Sequence, residues 1–167
     1  MIIMEVKKNC IEEFGQMVFT GFLSVDSLKE SLTLRQVPDV SGVYLVLRIS
    51  DVAPVFLESG TGGFFKGKDP NVPIEELKAN WVDGTNVLYV GKATSLRKRL
   101  GQYIRFGQGK PVGHWGGRYI WQLSDSENLI LCWKTVNVSE DPDVFETELI
   151  DRFRNIYGCR PFANLTK

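Results

Sequence analysis

Two short β-rich runs, far apart in the chain, each place a tyrosine close to a glycine. Gly42-Val43-Tyr44 opens an apolar run that ends at Ile49, and Tyr89-Val90-Gly91-Lys92 closes a second run that begins at Val87. Short runs rich in β-branched and aromatic residues are typical of strands. If these two strands pair, the two phenols lie side by side on one sheet.

The size of the chain and its lack of long apolar runs restrict the class of protein. A chain of 167 residues with ordinary apolar and charged fractions is expected to form one compact domain. No apolar run approaches the roughly 20 residues of a membrane span, and the start lacks the order of a signal peptide. Cys10, Cys132 and Cys159 are widely spaced and predict neither a disulfide framework nor a zinc site. We therefore expect a cytoplasmic protein with reduced, packed thiols and no membrane partner.

The charges are unevenly distributed along the chain. Twenty basic and twenty acidic residues give a net charge of zero, which alone argues against a non-specific nucleic-acid binder. Residues 92–124, however, contain no acid and seven cations, namely Lys92, Arg97, Lys98, Arg99, Arg105, Lys110 and Arg118. Such a cluster is often only a solvated face. Its position directly after the second tyrosine favours a nucleic-acid surface.

The remaining pattern predicts an α+β order of elements. Residues 11–23 and 26–34 are predicted as two helices of an N-terminal appendage covering 1–40, the second capped by Ser24 or Asp26 and ended before Pro38. Further helices are expected at 73–81, from Thr94 or Ser95 to Phe106, and at 142–157, where Asp141 is the N-cap and Gly158 the C-terminal glycine. A third strand is expected at 129–138.

The last predicted helix carries a carboxylate within its apolar stripe. On a wheel of about 100° per residue, Glu146 falls among apolar residues whereas Glu148 falls on the opposite, solvated face. The stripe comprises Phe145, Leu149, Ile150, Phe153, Ile156 and Tyr157. A carboxylate aimed inward must be paired, hydrogen-bonded or bound to a metal. We favour metal binding, with a buried ion pair as the alternative.

The basic helix offers a phosphate-binding side chain beside an aromatic hydroxyl. Arg99 and Tyr103 are four residues apart, so they lie on one side of the helix. Arginine binds phosphate oxygens in a forked geometry that lysine cannot reproduce. Arg97 and Lys98 point elsewhere and are expected to contact a nucleic-acid backbone or solvent.

The one histidine, His114, lies in the acid-free segment among aromatic residues. Exposed aromatics mixed with Lys110 and Arg118 suit a nucleic-acid surface, whereas a lone histidine is more often structural. The set expected to contact nucleic acid is Arg97, Lys98, Arg105, Lys110, His114 and Arg118. Trp121 and Trp133 are assigned to the core.

These residues together resemble the GIY-YIG nuclease superfamily over about residues 41–166. Gly42-Val43-Tyr44 stands for the first triplet and Tyr89-Val90-Gly91 for the second, and the run from Gly91 to Leu100 is similar to the branch found in bacterial excision-repair nucleases. Glu146 and Asn164 fit the metal-binding glutamate and the terminal asparagine of the family. As an ordered set these elements are specific, although either triplet alone is weak.

The resemblance implies a small central three-stranded antiparallel sheet flanked by helices, and one Mg²⁺ or Mn²⁺ held by Glu146. It implies that Tyr44 deprotonates or positions the attacking water, that Tyr89 assists or exchanges that role, and that three further side chains line the phosphate: Lys92, Arg99 and Tyr103. Phosphodiester hydrolysis requires positive charge close to the phosphate oxygens, because negative charge develops on them.

The interval between the two triplets departs from minimal members of the family. Residues 52–83 are an insertion in the domain 41–167, rich in glycine around Gly60 to Lys68, without the spacing of a phosphate-binding loop. We interpret it as a flap that contacts substrate. The chain also lacks the additional domains of the repair enzymes.

The function predicted from the sequence is a metal-dependent endonuclease that hydrolyses DNA, in repair, recombination, mobile-element or restriction context, with RNA as a further candidate substrate. One alternative is a nucleic-acid-binding module that has lost turnover. Another is a protein-interaction domain in which Glu146 and Arg99 form a buried ion pair.

Overall fold

The computed structural model describes residues 17–166 together with Met4 and Phe14. The elements bounded within this part are, in chain order, β1 (Thr20–Ser24), α1 (Val25–Leu28), α2 (Ser31–Leu34), β2 (Gly42–Leu47), α3 (Ile74–Asn80), β3 (Val87–Ala93), α4 (Leu96–Gly107), the 3₁₀ segments Trp115–Gln122 and Ser126–Asn128, β4 (Ile130–Thr135) and α5 (Pro142–Tyr157). The α+β class expected from the sequence is confirmed.

The four strands form one antiparallel sheet in the order β1-β4-β2-β3. The expected three-stranded sheet is therefore wrong by one strand, because β1 pairs with the free edge of β4. β1 contains a bulge between Gly21 and Leu23, where Gly21 and Phe22 have φ of 95° and 57°. A bulge lets an irregular strand pair while one side chain is redirected.

The N-terminal appendage is accordingly not all helical. Of the helix predicted at 11–23, residues 20–23 lie in β1, and residues 11–13, 15 and 16 lie outside the described residues. The helix predicted at 26–34 is divided into α1 and α2, and the Ser24 side chain caps α1 by accepting from the amide of Ser27.

β2 is the central strand, and all six of its residues are buried. One face of the sheet carries Tyr44 and Val46 and packs on α4, while the other carries Val43 and Leu45 and packs on α5. A strand covered on both faces needs a continuous apolar run, which explains the composition of this segment.

The two long helices begin and end where their capping residues predict. Ser95 caps α4 by accepting from the amide of Lys98, and Asp141 caps α5 by accepting from the amide of Asp143. α5 ends at Gly158, whose φ of 76° is the left-handed conformation that glycine adopts readily. These caps fix the starts of both helices next to β3.

The insertion 52–83 packs against the rest of the domain. The buried amide of Gln122 donates to the carbonyls of Leu57 and Val72 and accepts from the amide of Val72. Phe56 and Trp81 pack against Phe162 from the end of the chain. The predicted helix of the insertion is present as α3.

The outer edge of β3 is covered by the end of the chain. The amide of Ala163 donates to the carbonyl of Leu88, and the side chain of Asn164 both accepts from the amide and donates to the carbonyl of Val90. Backbone groups that would otherwise face solvent at a sheet edge are thereby paired.

Within the described part of the chain, no helix is long and apolar enough to cross a membrane. Cys132 is buried, as expected of a packed thiol, whereas Cys159 is exposed, so the expectation of a packed thiol is wrong for Cys159. Cys10 lies outside the described residues.

Candidate active site

The tyrosines of the two triplets lie on the same face of the paired strands. In the β2–β3 register Tyr44 is opposite Gly91 and Tyr89 is opposite Val46, so the two phenols are diagonal neighbours with ring centroids 6.0 Å apart. A Cβ on Gly91 would lie 2.4 Å from Cζ of Tyr44 and 2.6 Å from its hydroxyl oxygen. The glycine of the second triplet therefore leaves the space that the first tyrosine occupies.

An open pocket of about 880 Å³ lies beside β3, between the starts of α4 and α5. It is lined by five of the residues predicted from the sequence, namely Tyr89, Lys92, Lys98, Arg99 and Glu146. Because β3 is an edge strand, groups from both faces of the sheet can meet there. Because Asp141 and Asp143 also line it, the pocket brings together a phenol, three cations and three carboxylates.

Glu146 is buried at the side of this pocket. It is 9% exposed, whereas Glu148 lies on the exposed face of α5 and pairs with Arg152 at 3.3 Å, so the wheel placed both glutamates correctly. The prediction that Ile156 belongs to the buried stripe is wrong, because that side chain, in the last turn of α5, is 53% exposed. One face of α5 therefore delivers a single buried carboxylate to the pocket.

A lysine of β3 approaches the carboxylate of Glu146. Nζ of Lys92 is 4.0 Å from Oε1 of Glu146 and also forms an ion pair with Asp143, one turn earlier on α5. The predicted alternative partner, Arg99, instead donates to the carbonyl of Gly113 at 3.0 Å and to Gln102. The ion pair of Glu146 is thus with a flexible, partly exposed lysine.

The donor set can be compared with the needs of a divalent cation. Within the described residues there is no group of three His, Cys, Asp or Glu side chains around one point. Mg²⁺ keeps several waters and is commonly bound through one or two carboxylates together with substrate phosphates. Glu146, with Asp143 one turn away and an open pocket in front, fits that mode.

Behind the pocket, Tyr44 hydrogen bonds to His114. The hydroxyl oxygen of Tyr44 is 3.1 Å from Nε2 of His114, and neither residue is exposed to solvent. Burial, followed by the positive charge of Arg99 as the second cause, lowers the pKa of His114 to about 3. His114 is therefore neutral, and its expected role as a surface contact to nucleic acid does not fit its burial.

The two phenols differ in their access to solvent. Burial raises the pKa of Tyr44 well above its usual value, with a further rise from Tyr89 and an opposing effect of Arg99. Burial also raises the pKa of Tyr89, which Arg99 lowers and Glu146 raises. Tyr89, and not Tyr44, lines the pocket. The structure therefore places the second tyrosine where the first was expected.

Two further predicted residues lie away from the pocket. Tyr103 is fully buried with its ring 4.5 Å from that of His114 and 4.8 Å from that of Trp121, so it supports the site from inside. Burial raises the pKa of Tyr103 well above its usual value. Asn164 contacts the backbone of Val90, on the outer edge of β3.

The predicted nucleic-acid contacts are divided between surface and structural positions. Lys98, Arg105 and Lys110 are exposed. Arg97 donates to the carbonyls of Val37 and Arg35, and Arg118 stacks on Trp115 at 4.7 Å. Trp121 and Trp133 are buried, as expected.

Sequence reasoning missed three contributors to the site: Asp143, Gln102 and Gly113. The signal for Asp143 was present, because it precedes Glu146 by one helical turn. The carbonyl of Gly113 that accepts from Arg99 carries no such signal, since its position depends on the path of residues 108–114.

The chain matches no protein-family model, no curated protein and no solved structure. The resemblance to the GIY-YIG superfamily thus rests on the sequence motifs alone.

Proposed function

We propose that this protein is a metal-dependent endonuclease that hydrolyses DNA phosphodiester bonds with Mg²⁺ or Mn²⁺ held by Glu146. The observation that carries the proposal is one open pocket lined by Tyr89, Arg99 and the buried Glu146. A binding surface needs cations, but it gains nothing from a buried carboxylate beside the phosphate.

The cationic side chains have distinct tasks in this proposal. Arg99 is held by the carbonyl of Gly113 and presents its remaining N–H groups to phosphate oxygens. Lys92 is released from Glu146 toward the phosphate when substrate enters. The divalent cation, when bound, supplies positive charge to the scissile phosphate and to the leaving oxygen.

The phenols orient the attacking water. Tyr89 lies at the pocket wall and hydrogen bonds to the water, while Tyr44 supports Tyr89 from behind and is itself fixed by His114. Only the phenolate form of a tyrosine can take up a proton from the water, and Arg99 favours that form because it opposes the effect of burial on the pKa of both phenols. Tyr89 therefore takes the role that the resemblance assigned first to Tyr44.

The experiment compares two glutamates of the same helix. Supercoiled plasmid, branched DNA and RNA are incubated with the protein in Mg²⁺, Mn²⁺ or EDTA. Glu146→Gln should lower cleavage roughly 100-fold or more while DNA binding is retained, the size expected for a lost electrostatic contribution in an active site. Glu148→Gln, on the exposed face, should leave cleavage unchanged. Equal activity of the Glu146 and Glu148 variants would refute the site.

A second candidate function, binding without turnover, is favoured by one observation. Lys92 already neutralises Asp143 and lies within 4.0 Å of Glu146, as it would in a site that needs no metal. Such a module would bind DNA equally in Mg²⁺ and EDTA and would cleave none of the substrates. Metal-dependent cleavage by the wild-type protein excludes it.

A further inference from the structure

The insertion contains a tight turn with two exposed lysines. In the segment Phe65–Lys68, the central residues Lys66 and Gly67 have φ of 53° and 73°, and the amide of Lys68 donates to the carbonyl of Phe65 at 3.1 Å. Positive φ at both central positions defines the turn found in two-residue β-hairpins. The turn therefore has a defined shape.

The chain leading to this turn is fixed to α4 and to the segment after it. The amide of Gly63 donates to the carbonyl of Phe106 at 2.9 Å, and a Cβ on Gly63 would lie 2.0 Å from the carbonyl oxygen of Lys110. The amide of Thr61 donates to the carbonyl of Trp121. The turn is thus held at a set position relative to α4.

An aromatic ring and several cations are exposed together at this place. Phe64 is 55% exposed, and the side chains of Lys66, Lys68 and Lys110 are exposed around it. The acid of this segment, Asp69, accepts hydrogen bonds from the amide and the side chain of Asn71. The surface is therefore positively charged with one large apolar ring.

The turn adjoins the pocket through a single glycine. The ring of Phe65 lies 3.5 Å from the position that a Cβ on Gly113 would take, and the carbonyl of Gly113 accepts from Arg99 at 3.0 Å. The turn therefore lies close to any phosphate that is bound by Arg99.

We propose that this turn is a second binding site for the substrate strand, on which Phe64 stacks against an unpaired base while Lys66 and Lys68 contact its phosphates. The inference rests on the proposed function and gives it a substrate class, namely DNA with a single-stranded segment beside the scissile bond. Aromatic rings interleaved with cations are the usual means of binding single strands, because every base has a stacking face.

Binding is measured in EDTA with the full chain and oligonucleotides that carry 2-aminopurine at successive positions of a single-stranded flap. Phe64→Ala should weaken flap binding roughly 5- to 150-fold and remove the fluorescence change at one position, the range expected for one base–aromatic stack. Phe64→Trp should retain both. Blunt duplex should bind the wild-type protein and Phe64→Ala equally.

The lysines are tested against a matched control on α3. Lys66→Gln with Lys68→Gln should reduce the salt dependence of flap binding, whereas Lys78→Gln, also exposed, should not. Equal flap binding by Phe64→Ala and wild type, or equal losses on flap and blunt duplex, would overturn the inference. These binding measurements do not require turnover. If the wild-type protein cleaves no substrate in Mg²⁺, the proposed function fails, whereas flap binding by Phe64→Ala and wild type still decides the present inference.

Discussion

Acidification should destabilise this protein through His114 at pH values where few other groups titrate. His114 is the only histidine of the chain, and in the folded state it is buried against Tyr44, Tyr89, Tyr103 and the guanidinium of Arg99. None of these neighbours is an anion at neutral pH. A proton on His114 would therefore be an uncompensated buried charge.

The magnitude follows from the two pKa values. In the unfolded chain His114 binds a proton below its ordinary pKa of 6.5, whereas in the folded chain it does so only below about 3. Because the unfolded state then binds more protons, the free energy of unfolding falls as the pH drops from 6.5 toward 3, and the stabilisation is fully present above 6.5. At about 1.36 kcal/mol per pH unit, the loss is about 2 kcal/mol by about pH 5.

The assay is urea unfolding of wild type and His114→Gln at about pH 7.5 and about pH 5. Glutamine keeps an N–H that can donate to Tyr44 but cannot take up a proton. Wild type should lose about 2 kcal/mol between the two conditions, and the variant should lose much less. Carboxylate titration contributes equally to both proteins, so the difference isolates the histidine.

A second measurement keeps the prediction testable if the variant does not fold. The imidazole Hε1 resonance of the wild-type protein should not titrate between about pH 7.5 and about pH 5 in the native state. A native titration midpoint near 6.5, or equal losses of stability in wild type and His114→Gln, would refute the buried neutral histidine.

Three other substitutions test the packing around the site. Gly91→Ala forces a Cβ against the ring of Tyr44 and should cost about 1–3 kcal/mol in urea unfolding and abolish cleavage. Asn164→Ala leaves the amide and carbonyl of Val90 unpaired and should cost about 1–3 kcal/mol, with unchanged metal dependence of the remaining cleavage. Gln122→Leu removes the hydrogen bonds that hold the insertion and should make residues 52–73 sensitive to limited proteolysis at low protease concentration. Unaltered stability of either of the first two variants, or an unaltered digest of the third, would contradict the contacts described.

Features that depend on neighbours in sequence could be predicted. The caps at Ser95, Asp141 and Gly158 involve residues within one or two turns, so the ends of α4 and α5 followed from local chemistry. The burial of Glu146 followed from helical periodicity alone. Glu146 lies at a pocket because α5 begins beside β3, an edge strand of the sheet.

Features that depend on distant contacts could not be predicted. Residues 20–24 have a pattern compatible with a helix, and only the free edge of β4 makes them a strand. Arg99 and Tyr103 share a side of α4 as predicted, but the segment that returns over the sheet buries Tyr103 under His114 and leaves Arg99 at the pocket. The path of that segment is set by tertiary packing.

The cover over β3 has a consequence for any shortened form of this protein. Residues 163 and 164 occupy hydrogen-bonding positions on the strand that carries Tyr89. Removal of the chain after Arg160 would leave that strand as an open template for a second molecule. Shortened chains should self-associate through β3, next to the pocket that Tyr89 lines.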